Sequence, residues 1–160
     1  MSTQAVALKK YALEDFTPGR EFELGPYPVS ADEIIEFASE FDPQPMHLDE
    51  EAGKASILGG LSASGWHICA MMMRMLIDGY ILDSTSQGAP GVEYCNWKRP
   101  VLAGDTLHGK STVLSSRSLK SRPGIGAVEF SHELFNQRGE LVCTSANTGF
   151  FASRDKGERK

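Results

Sequence analysis

The sequence contains few cysteines, and none of them are closely spaced. They are Cys69, Cys95 and Cys143, and no Cys-x-x-Cys pair occurs. Zinc knuckles and thioredoxin-like sites use such pairs, so the sequence argues against both. An odd number of distant cysteines is typical of reduced thiols, which favours a cytoplasmic protein. We expect each of the three to be a buried structural residue.

Positive charge is also scarce. Sixteen lysines and arginines stand against 21 aspartates and glutamates, which gives a net charge of −5. General nucleic-acid binding needs a basic surface, so the composition argues against that class of function. A few local basic side chains are still enough to hold an anionic ligand.

Long apolar runs are missing as well. The most apolar stretch, residues 66–77, is interrupted by His67 and Arg74, whereas a bilayer-spanning helix needs about 20 apolar residues. Residues 1–16 contain no apolar segment typical of a secretory signal. We therefore predict no contact with a membrane. A chain of 160 residues with 41% hydrophobic and 23% charged residues fits one globular domain.

The first part of the chain predicts a strand followed by a helix. Residues 1–20 indicate an irregular arm and residues 21–28 a strand. Ser30 and Glu33 form a capping box, after which apolar residues recur at helical spacing for about ten residues. The helix is expected to end at Asp42-Pro43-Gln44-Pro45, because proline cannot continue a helix.

Residues 65–79 predict a second helix, which is apolar over most of its circumference and is expected to end at Gly79. A helix of this kind is buried on most of its sides, so we expect it to lie at the centre of the domain. The narrow, partly polar stripe that remains consists of His67, Met71, Arg74 and Asp78.

Four strand-like segments separated by turns follow, at residues 92–97, 106–114, 127–136 and 141–151. Short turns between consecutive strands imply an antiparallel sheet. The predicted fold class is α+β, with a long central helix wrapped by a curved antiparallel sheet that the N-terminal strand can join. Residues 153–160 form a charged tail. Such a sheet has exposed edges, which a homodimer or a higher homo-oligomer would cover.

Two titratable residues flank the proline-rich loop. Asp42 offers a carboxylate base, and His47 accepts or donates a proton near neutral pH. The prolines stiffen the loop, and proton transfer needs a fixed mutual geometry. By spacing alone, the simpler interpretation is that Asp42 caps a turn and His47 caps a helix.

A glycine stands at the start of the predicted central helix. The first N–H groups of a helix are unpaired and carry positive partial charge, and Gly65 has no side chain to block a ligand. The segment Ala63-Ser64-Gly65-Trp66 is therefore a candidate oxyanion hole for a thioester carbonyl. The alternative is that Gly65 only permits close packing.

Three motifs together resemble the MaoC-like dehydratases, also called (R)-specific enoyl-CoA hydratases, which have the hot-dog fold. The motifs are Asp42-x4-His47-x-Asp49, Gly59-Gly60-Leu61-x-Ala63-Ser64-Gly65, and Lys98-Arg99-Pro100-Val101 followed by Gly104-Asp105-Thr106. The order and spacing of these motifs match those of the family across residues 30–115. The resemblance implies a single MaoC-like hot-dog domain over residues 21–152.

The resemblance also implies an activity, the reversible addition of water to a trans-2-enoyl thioester to give a 3-hydroxyacyl thioester. Asp42 and His47 match the pair that activates the water and passes a proton to the α-carbon. Gly65 matches the residue whose backbone N–H stabilises the thioester oxyanion. The resemblance implies no metal and no redox cofactor: coenzyme A is part of the substrate, with acyl carrier protein as an alternative carrier. Many family members have Asn where this chain has Gln44, so no role is carried over to that residue.

Five further residues are candidates for contact with the substrate. Lys98 and Arg99 can bind the phosphates of coenzyme A, although a solvated strand end explains them equally well. Ser64, Trp66 and His67 are close in sequence to the predicted oxyanion hole and are candidates for contact with the substrate. The alternative for His67 is a hydrogen-bonding role at the end of the helix.

The remaining aromatic and histidine residues of the strands receive no catalytic role. Tyr94 and Trp97 are expected to pack in the sheet. His108 and His132 have no evident partners in the sequence.

Two other functions remain open. A hot-dog thioesterase would hydrolyse the thioester, but such enzymes usually carry an acidic residue on or beside the central helix. On the polar stripe this chain offers only His67, Arg74 and the distant Asp78. A non-catalytic acyl-thioester binding domain would need neither Asp42 nor His47. The presence of both residues therefore favours hydration.

Overall fold

The structure, a computed structural model, describes residues 8–154. Along the chain lie β1 (Glu21–Pro28), α1 (Ala31–Phe41), α2 (Glu50–Ala55), α3 (Gly65–Leu76), β2 (Gly91–Trp97), β3 (Thr106–Ser118), β4 (Ile125–Phe135) and β5 (Leu141–Ala152). Residues 1–7 of the predicted arm and residues 155–160 of the predicted charged tail lie outside the described residues.

The five strands form one antiparallel sheet in the order β1-β3-β4-β5-β2. The turn between β4 and β5 contains Gly139 with φ +75°, a left-handed conformation that glycine adopts without strain. β1 pairs with β3, and β2 pairs with β5, so these two strands lie at the edges of the sheet. The predicted α+β fold, with the N-terminal strand joined to an antiparallel sheet, is confirmed.

α3 contributes a row of buried apolar side chains to the core: Ile68, Met71, Met72, Met75 and Leu76. The predicted end of the helix at Gly79 is wrong. α3 continues directly into a π-helical turn, Ile77–Ile81, and Gly79 lacks the positive φ of a helix-ending glycine. No helix within residues 8–154 is long and apolar enough to cross a bilayer.

The predicted faces of α3 also need correction. His67 and Met71, which the pattern placed on the partly polar stripe, are buried, whereas Trp66 is 67% exposed and Met73 is 46% exposed. α1 covers His67, because the ring of Phe37 stacks on the imidazole with centroids 4.7 Å apart. Helical spacing shows which residues share a face. It cannot show which face the rest of the chain covers when nearly all faces are apolar.

The segment before β1 packs into the same core. Phe16 is 1% exposed, and its ring centroid lies 4.2 Å from that of Phe151 on β5. It also contacts Phe22 of β1 and Tyr80 of the π-helical turn. This aromatic cluster fastens the chain ahead of β1 to the sheet.

The loop that carries Asp42 and His47 begins at the C-terminal end of α1 and ends at the capped start of α2. At its start the backbone N–H of Asp42 donates to the carbonyl oxygen of Ala38 at 2.9 Å, and Ser30 caps the opposite end of α1. Asp49 accepts a backbone N–H at 2.9 Å and caps α2. Between these helices, Pro45–His47 forms a single 3₁₀ turn. The loop is therefore short and fixed on both sides.

Candidate active site

Asp42 is held by a hydrogen bond to each of its carboxylate oxygens. Gln44 Nε2 donates to Oδ1 at 2.7 Å, and Ser64 Oγ donates to Oδ2 at 2.7 Å. The bond from Ser64, followed by that from Gln44, lowers the pKa of Asp42 below the ordinary value of an aspartate. Asp42 is therefore an oriented carboxylate base near neutral pH, and its oxygens retain acceptor capacity.

His47 is buried and has one defined tautomer. Its Nδ1 lies 2.6 Å from the backbone carbonyl oxygen of Ser62. A carbonyl oxygen only accepts, so Nδ1 carries the proton and the neutral ring has its lone pair on Nε2. Nε2 lies 3.5 Å from Oδ2 of Asp42. Both groups therefore present acceptor atoms to the same small space.

The N-terminus of α3 lies beside this pair with free backbone donors. Ser64 is the N-cap residue, but its side chain does not cap the helix, because its hydroxyl donates to Asp42. Within residues 8–154, no acceptor is found for the backbone N–H of Gly65 or Trp66. These N–H groups carry the positive partial charge of the helix start.

Gly65 is also a position of close packing. A Cβ atom built on it would lie 2.6 Å from the indole ring of Trp97, closer than carbon atoms pack in proteins. The helix start and the end of β2 can therefore meet only because residue 65 has no side chain. This contact does not use the backbone N–H, so the packing role and the oxyanion role are compatible.

A cavity of about 200 Å³ joins several of the predicted site residues. His47, Gly65, Lys98 and Arg99 all line it, with Trp97 at its wall. Lys98 makes no ion pair with the described residues 8–154, whereas Arg99 Nη1 lies 3.1 Å from Glu140 Oε2. Both basic residues are exposed. The structure thus places two cations at the mouth of the cavity that contains His47.

Two predicted substrate contacts lie elsewhere. Trp66 faces a neighbouring groove, where its ring meets that of Trp97 edge to face at 5.6 Å. His67 faces α1 and lines a separate cavity of about 400 Å³. Its Nε2 is 3.6 Å from Glu33 Oε1, and burial lowers its pKa. The structure does not bring His67 to the cavity of His47.

Sequence reasoning missed how Asp42 is held. Gln44 received no role, yet its amide is one of the two donors to the carboxylate. The sequence did contain a signal for this hydrogen bond, because Gln44 lies only two residues from Asp42, and polar side chains in loops often hydrogen-bond to residues a few positions away. Ser64 was predicted to contact the substrate, but its hydroxyl donates to Asp42 across 22 residues of sequence. No local pattern signals that pairing.

The interpretation of His132 as a residue without partners is wrong. His132 is 2% exposed, and its ring nitrogens lie 2.7 Å from Ser111 Oγ and 2.7 Å from Asn147 Oδ1. His108 is exposed and stacks on Phe135 with centroids 5.9 Å apart. The partners of His132 come from neighbouring strands, so only the strand register reveals them.

The three cysteines lie in a row between α3 and the sheet. The Sγ atoms of Cys69 and Cys95 are 3.5 Å apart, and those of Cys95 and Cys143 are 3.6 Å apart. Cys143 is buried, and the other two are half-buried. Burial raises the pKa of Cys69 to about 11, so its thiol is protonated near neutral pH. No group of three or more His, Cys, Asp or Glu residues in the described part of the chain is arranged to hold a metal ion.

Comparison with known proteins identifies the family. The family model described as "MaoC like domain" matches residues 15–133. The chain therefore belongs to the MaoC-like domain family. The uncharacterized protein YdeM of Bacillus subtilis (strain 168) is 33% identical over 127 residues, which are 79% of this chain and 88% of that protein.

Solved structures confirm the hot-dog fold. A MaoC-like dehydratase from Rhodospirillum rubrum is 41% identical and superposes with a TM-score of 0.82, covering 89% of this chain and 97% of that chain. An R-hydratase from Pseudomonas aeruginosa superposes with a TM-score of 0.71, covering 91% of this chain and 88% of that chain. It is only 19% identical, so this second likeness concerns the fold alone.

Proposed function

We propose that the protein is an acyl-thioester hydratase/dehydratase that adds water reversibly to a trans-2-enoyl-CoA. The observation that carries the proposal is the pair of acceptors 3.5 Å apart, Oδ2 of Asp42 and Nε2 of His47. Gln44 bonds the other oxygen of Asp42, and the carbonyl of Ser62 bonds the other nitrogen of His47. Oδ2, which also accepts from Ser64, and Nε2 therefore face a single reactant. Membership in the MaoC-like domain family and the likeness to a MaoC-like dehydratase support the same reaction.

The acceptor pair suits the activation of a water molecule. A water between Asp42 and His47 donates one hydrogen bond to each. As its oxygen bonds to the β-carbon, one O–H bond breaks and its proton passes to the pair. The π electrons of the C=C bond move toward the thioester oxygen. Acid–base assistance of this kind contributes a factor of about 10² to 10⁴ to the rate.

The start of α3 suits the charge that develops on the thioester oxygen. The backbone N–H of Gly65 is the proposed donor to this enolate-like oxygen, and one preorganised donor contributes about 3 kcal/mol. Transfer of the proton from the Asp42/His47 pair to the α-carbon then restores the thioester carbonyl. The sum is one water added to one double bond, with no other co-reactant.

Lys98 and Arg99 are the proposed contacts for the phosphates of coenzyme A. They line the mouth of the same cavity as His47 and Gly65, where a carrier attached to the acyl group must emerge. Arg99 would exchange its partner Glu140 for phosphate, whereas Lys98 is available directly. Acyl carrier protein, whose prosthetic arm also ends in a thioester, remains the alternative carrier.

The competing activity is thioester hydrolysis. α3 carries no Asp or Glu between Gly65 and Leu76, so it offers no carboxylate of the kind that hot-dog thioesterases usually place there. A purely binding role would not require Asp42 to be held by two hydrogen bonds opposite a histidine of defined tautomer. Both alternatives are therefore weaker than hydration.

The test is a spectroscopic assay with crotonyl-CoA. We expect the wild-type protein to remove the absorbance of the conjugated enoyl thioester without releasing free thiol. Asp42→Asn and His47→Ala should each abolish this change while the protein stays folded. Asp49→Asn is the matched control, since Asn caps a helix as well as Asp and should leave the rate unchanged. Release of thiol would instead indicate a thioesterase, and full activity of Asp42→Asn would refute the catalytic assignment.

We also propose that the protein forms a homodimer through β2. This edge strand exposes Val92, Tyr94 and Trp97 by 64%, 45% and 46%, and pairing with a second copy would cover them and its free backbone groups. Sedimentation velocity should give the mass of a dimer for the wild type. The double variant Val92→Lys, Tyr94→Lys should sediment as a monomer, and an unchanged dimer would place the interface elsewhere.

A further inference from the structure

The turn between β4 and β5 is built around one buried polar side chain. Asn136 is 1% exposed. Its Oδ1 accepts the backbone N–H of Arg138 at 3.0 Å and that of Glu140 at 3.1 Å, and its Nδ2 donates to Oε1 of Glu140 at 3.0 Å. The backbone N–H of Gly139 donates to the carbonyl oxygen of Asn136 at 3.0 Å. Arg138 and Glu140 therefore lie on a turn whose backbone is fixed.

This turn lies beside the residues at the mouth of the proposed catalytic cavity. The backbone N–H groups of Lys98 and Arg99, which line that cavity, both donate to the carbonyl oxygen of Val142, two residues after Glu140. The side chain of Glu140 bridges two arginines. Its Oε1 accepts from Arg138 Nε at 2.6 Å, and its Oε2 lies 3.1 Å from Arg99 Nη1. Since the two oxygens belong to one carboxylate, both guanidinium groups reach the same small space.

Positive charge is in excess at this place, although the chain as a whole carries a net charge of −5. Lys98, Arg99 and Arg138 supply three positive charges, and Glu140 supplies one negative charge. The hydrogen bond from Arg138 is the largest cause of the lowered pKa of Glu140, which is ionised near neutral pH. The carboxylate of Asp105 also acts on Arg138, but it is buried and both of its oxygens already accept hydrogen bonds. Even with Asp105 counted, the cations outnumber the carboxylates.

The carboxylate of Glu140 occupies the position that an incoming oxyanion would take. The planar fork of arginine binds carboxylate and phosphate in the same way, so a phosphate group in place of the carboxylate would contact both guanidinium groups. The side chains of Arg99 and Arg138 are 58% and 57% exposed, and that of Glu140 is 31% exposed. Exposed ion pairs contribute little to stability. A phosphate group can therefore displace Glu140 at small cost.

The position of Arg138 suits the nucleotide end of coenzyme A. The long pantetheine arm separates the thioester from the phosphates, so the phosphates must bind outside the cavity in which the thioester reacts. Lys98 and Arg99 line the cavity, and Arg138 continues the row of cations beyond it, on the far side of Glu140. A carrier protein would present its acidic side chains over a wide surface. Two arginines that converge on one carboxylate instead suit a compact phosphate group.

We propose that Arg99 and Arg138 together bind a phosphate group at the nucleotide end of coenzyme A, and that Glu140 occupies this site in the free protein and competes with the phosphate. The protein thereby selects coenzyme A thioesters over thioesters that lack the nucleotide. This inference rests on the proposed hydratase function, because it assigns the carrier of that same substrate.

The experiment compares crotonyl-CoA with crotonyl-pantetheine, which has the same acyl group and thioester but no nucleotide. We expect kcat/KM of the wild type to favour the coenzyme A ester, chiefly through a lower KM. Arg138→Ala should reduce this preference by about tenfold, the effect of one hydrogen bond to a charged group. Arg138→Lys keeps the charge without the fork and should restore part of the preference. Both esters react at the same catalytic pair, so the ratio of their kcat/KM values is independent of any general loss of activity.

Glu140→Gln tests the competition with phosphate. Glutamine keeps an acceptor for Asn136 but loses the negative charge, so the preference for the coenzyme A ester should rise above that of the wild type. A lower preference would contradict the competing role of Glu140. Lys110→Ala is the matched control, because Lys110 also forms an exposed ion pair, with Glu21 at 3.3 Å, but lies on β3. This variant should keep the wild-type preference.

Titration calorimetry with coenzyme A itself separates this inference from the proposed function. Binding of coenzyme A that weakens in Arg138→Ala, with no hydration of any ester by the wild type, would refute the proposed function and leave the phosphate site standing. Equal binding of coenzyme A by wild type and Arg138→Ala, or equal kcat/KM of the wild type for the two esters, would overturn the phosphate site. An effect of Arg138→Ala that is confined to crotonyl groups on an acyl carrier protein would also overturn it and would assign the cations to protein docking.

Discussion

Ser64 Oγ donates a 2.7 Å hydrogen bond to Oδ2 of Asp42, the oxygen that also faces Nε2 of His47 at 3.5 Å. A serine at the N-cap of a helix ordinarily accepts a backbone N–H of the first turn. Here its hydroxyl proton orients the carboxylate, and the first N–H groups of α3 stay available. Ser64 therefore orients the proposed base directly beside the proposed oxyanion donor, the backbone N–H of Gly65.

Replacing Ser64 by alanine should lower the rate of the reaction and narrow the pH range over which the protein is active. The hydrogen bond from Ser64 is the largest cause of the lowered pKa of Asp42, so its loss raises that pKa. Since the proposed base is the carboxylate, the acid limb of the pH–rate profile should move to higher pH. Loss of one hydrogen bond to a charged group should also lower kcat by about tenfold. Ser64→Thr, which keeps the hydroxyl, is the control, and an unmoved acid limb in Ser64→Ala would contradict this role.

Gln44→Glu tests the second donor to Asp42. The change replaces the amide that donates to Oδ1 at 2.7 Å with a carboxylate of nearly the same shape. Two adjacent negative charges raise the pKa of one of them, so we expect the acid limb to move upward and the rate below pH 7 to fall. Rates across the pH range, measured with enoyl-CoA, check this. Gln44→Asn keeps the neutral amide but shortens the side chain by one methylene group. A rate close to wild type in this variant would show that the shorter amide also suffices to hold Asp42.

Gly65→Ala should displace Trp97 and reduce activity. The new Cβ would lie 2.6 Å from the indole ring, so either the ring or the start of α3 must move. A shift of about 1 Å at reacting groups costs about a hundredfold in rate, and we expect kcat/KM to fall by that order. Gly60→Ala is the matched control, because its Cβ would make only an ordinary contact with Leu102 at 3.6 Å.

The additional change Trp97→Leu provides a second check on this prediction. A smaller side chain at residue 97 makes room for the methyl group of Ala at residue 65. The double variant should therefore recover part of the lost activity if crowding is the cause. Equal rates for wild type and Gly65→Ala would show that the contact does not position the site.

Stability should decline as the pH falls below about 6.5, the ordinary pKa of histidine. Burial lowers the pKa of His67 in the folded chain, so the unfolded chain binds more protons below that pH, and protonation favours unfolding. One such group contributes at most about 1.4 kcal/mol per pH unit. Urea unfolding at pH 7 and pH 5 should show a smaller loss for His67→Gln than for wild type. His108→Gln, at an exposed position, should lose as much as wild type.

The residue pattern was enough to predict most of the elements. The Ser30 cap, the proline-terminated α1 and the run of strands all depend on local rules, because capping, ring constraints and alternation act over a few residues. The resemblance of the loop and glycine motifs to MaoC-like dehydratases likewise required only their order and spacing, and the family match over residues 15–133 agrees with it.

The tertiary structure decided which of those residues act on one another. Ser64 meets Asp42 across 22 residues, His132 finds its partners on β3 and β5, and His67 turns to α1 rather than to His47. Such pairings depend on strand register and on which face of an almost wholly apolar helix is covered. Local spacing fixes the order of side chains on an element, but only packing brings two distant elements together.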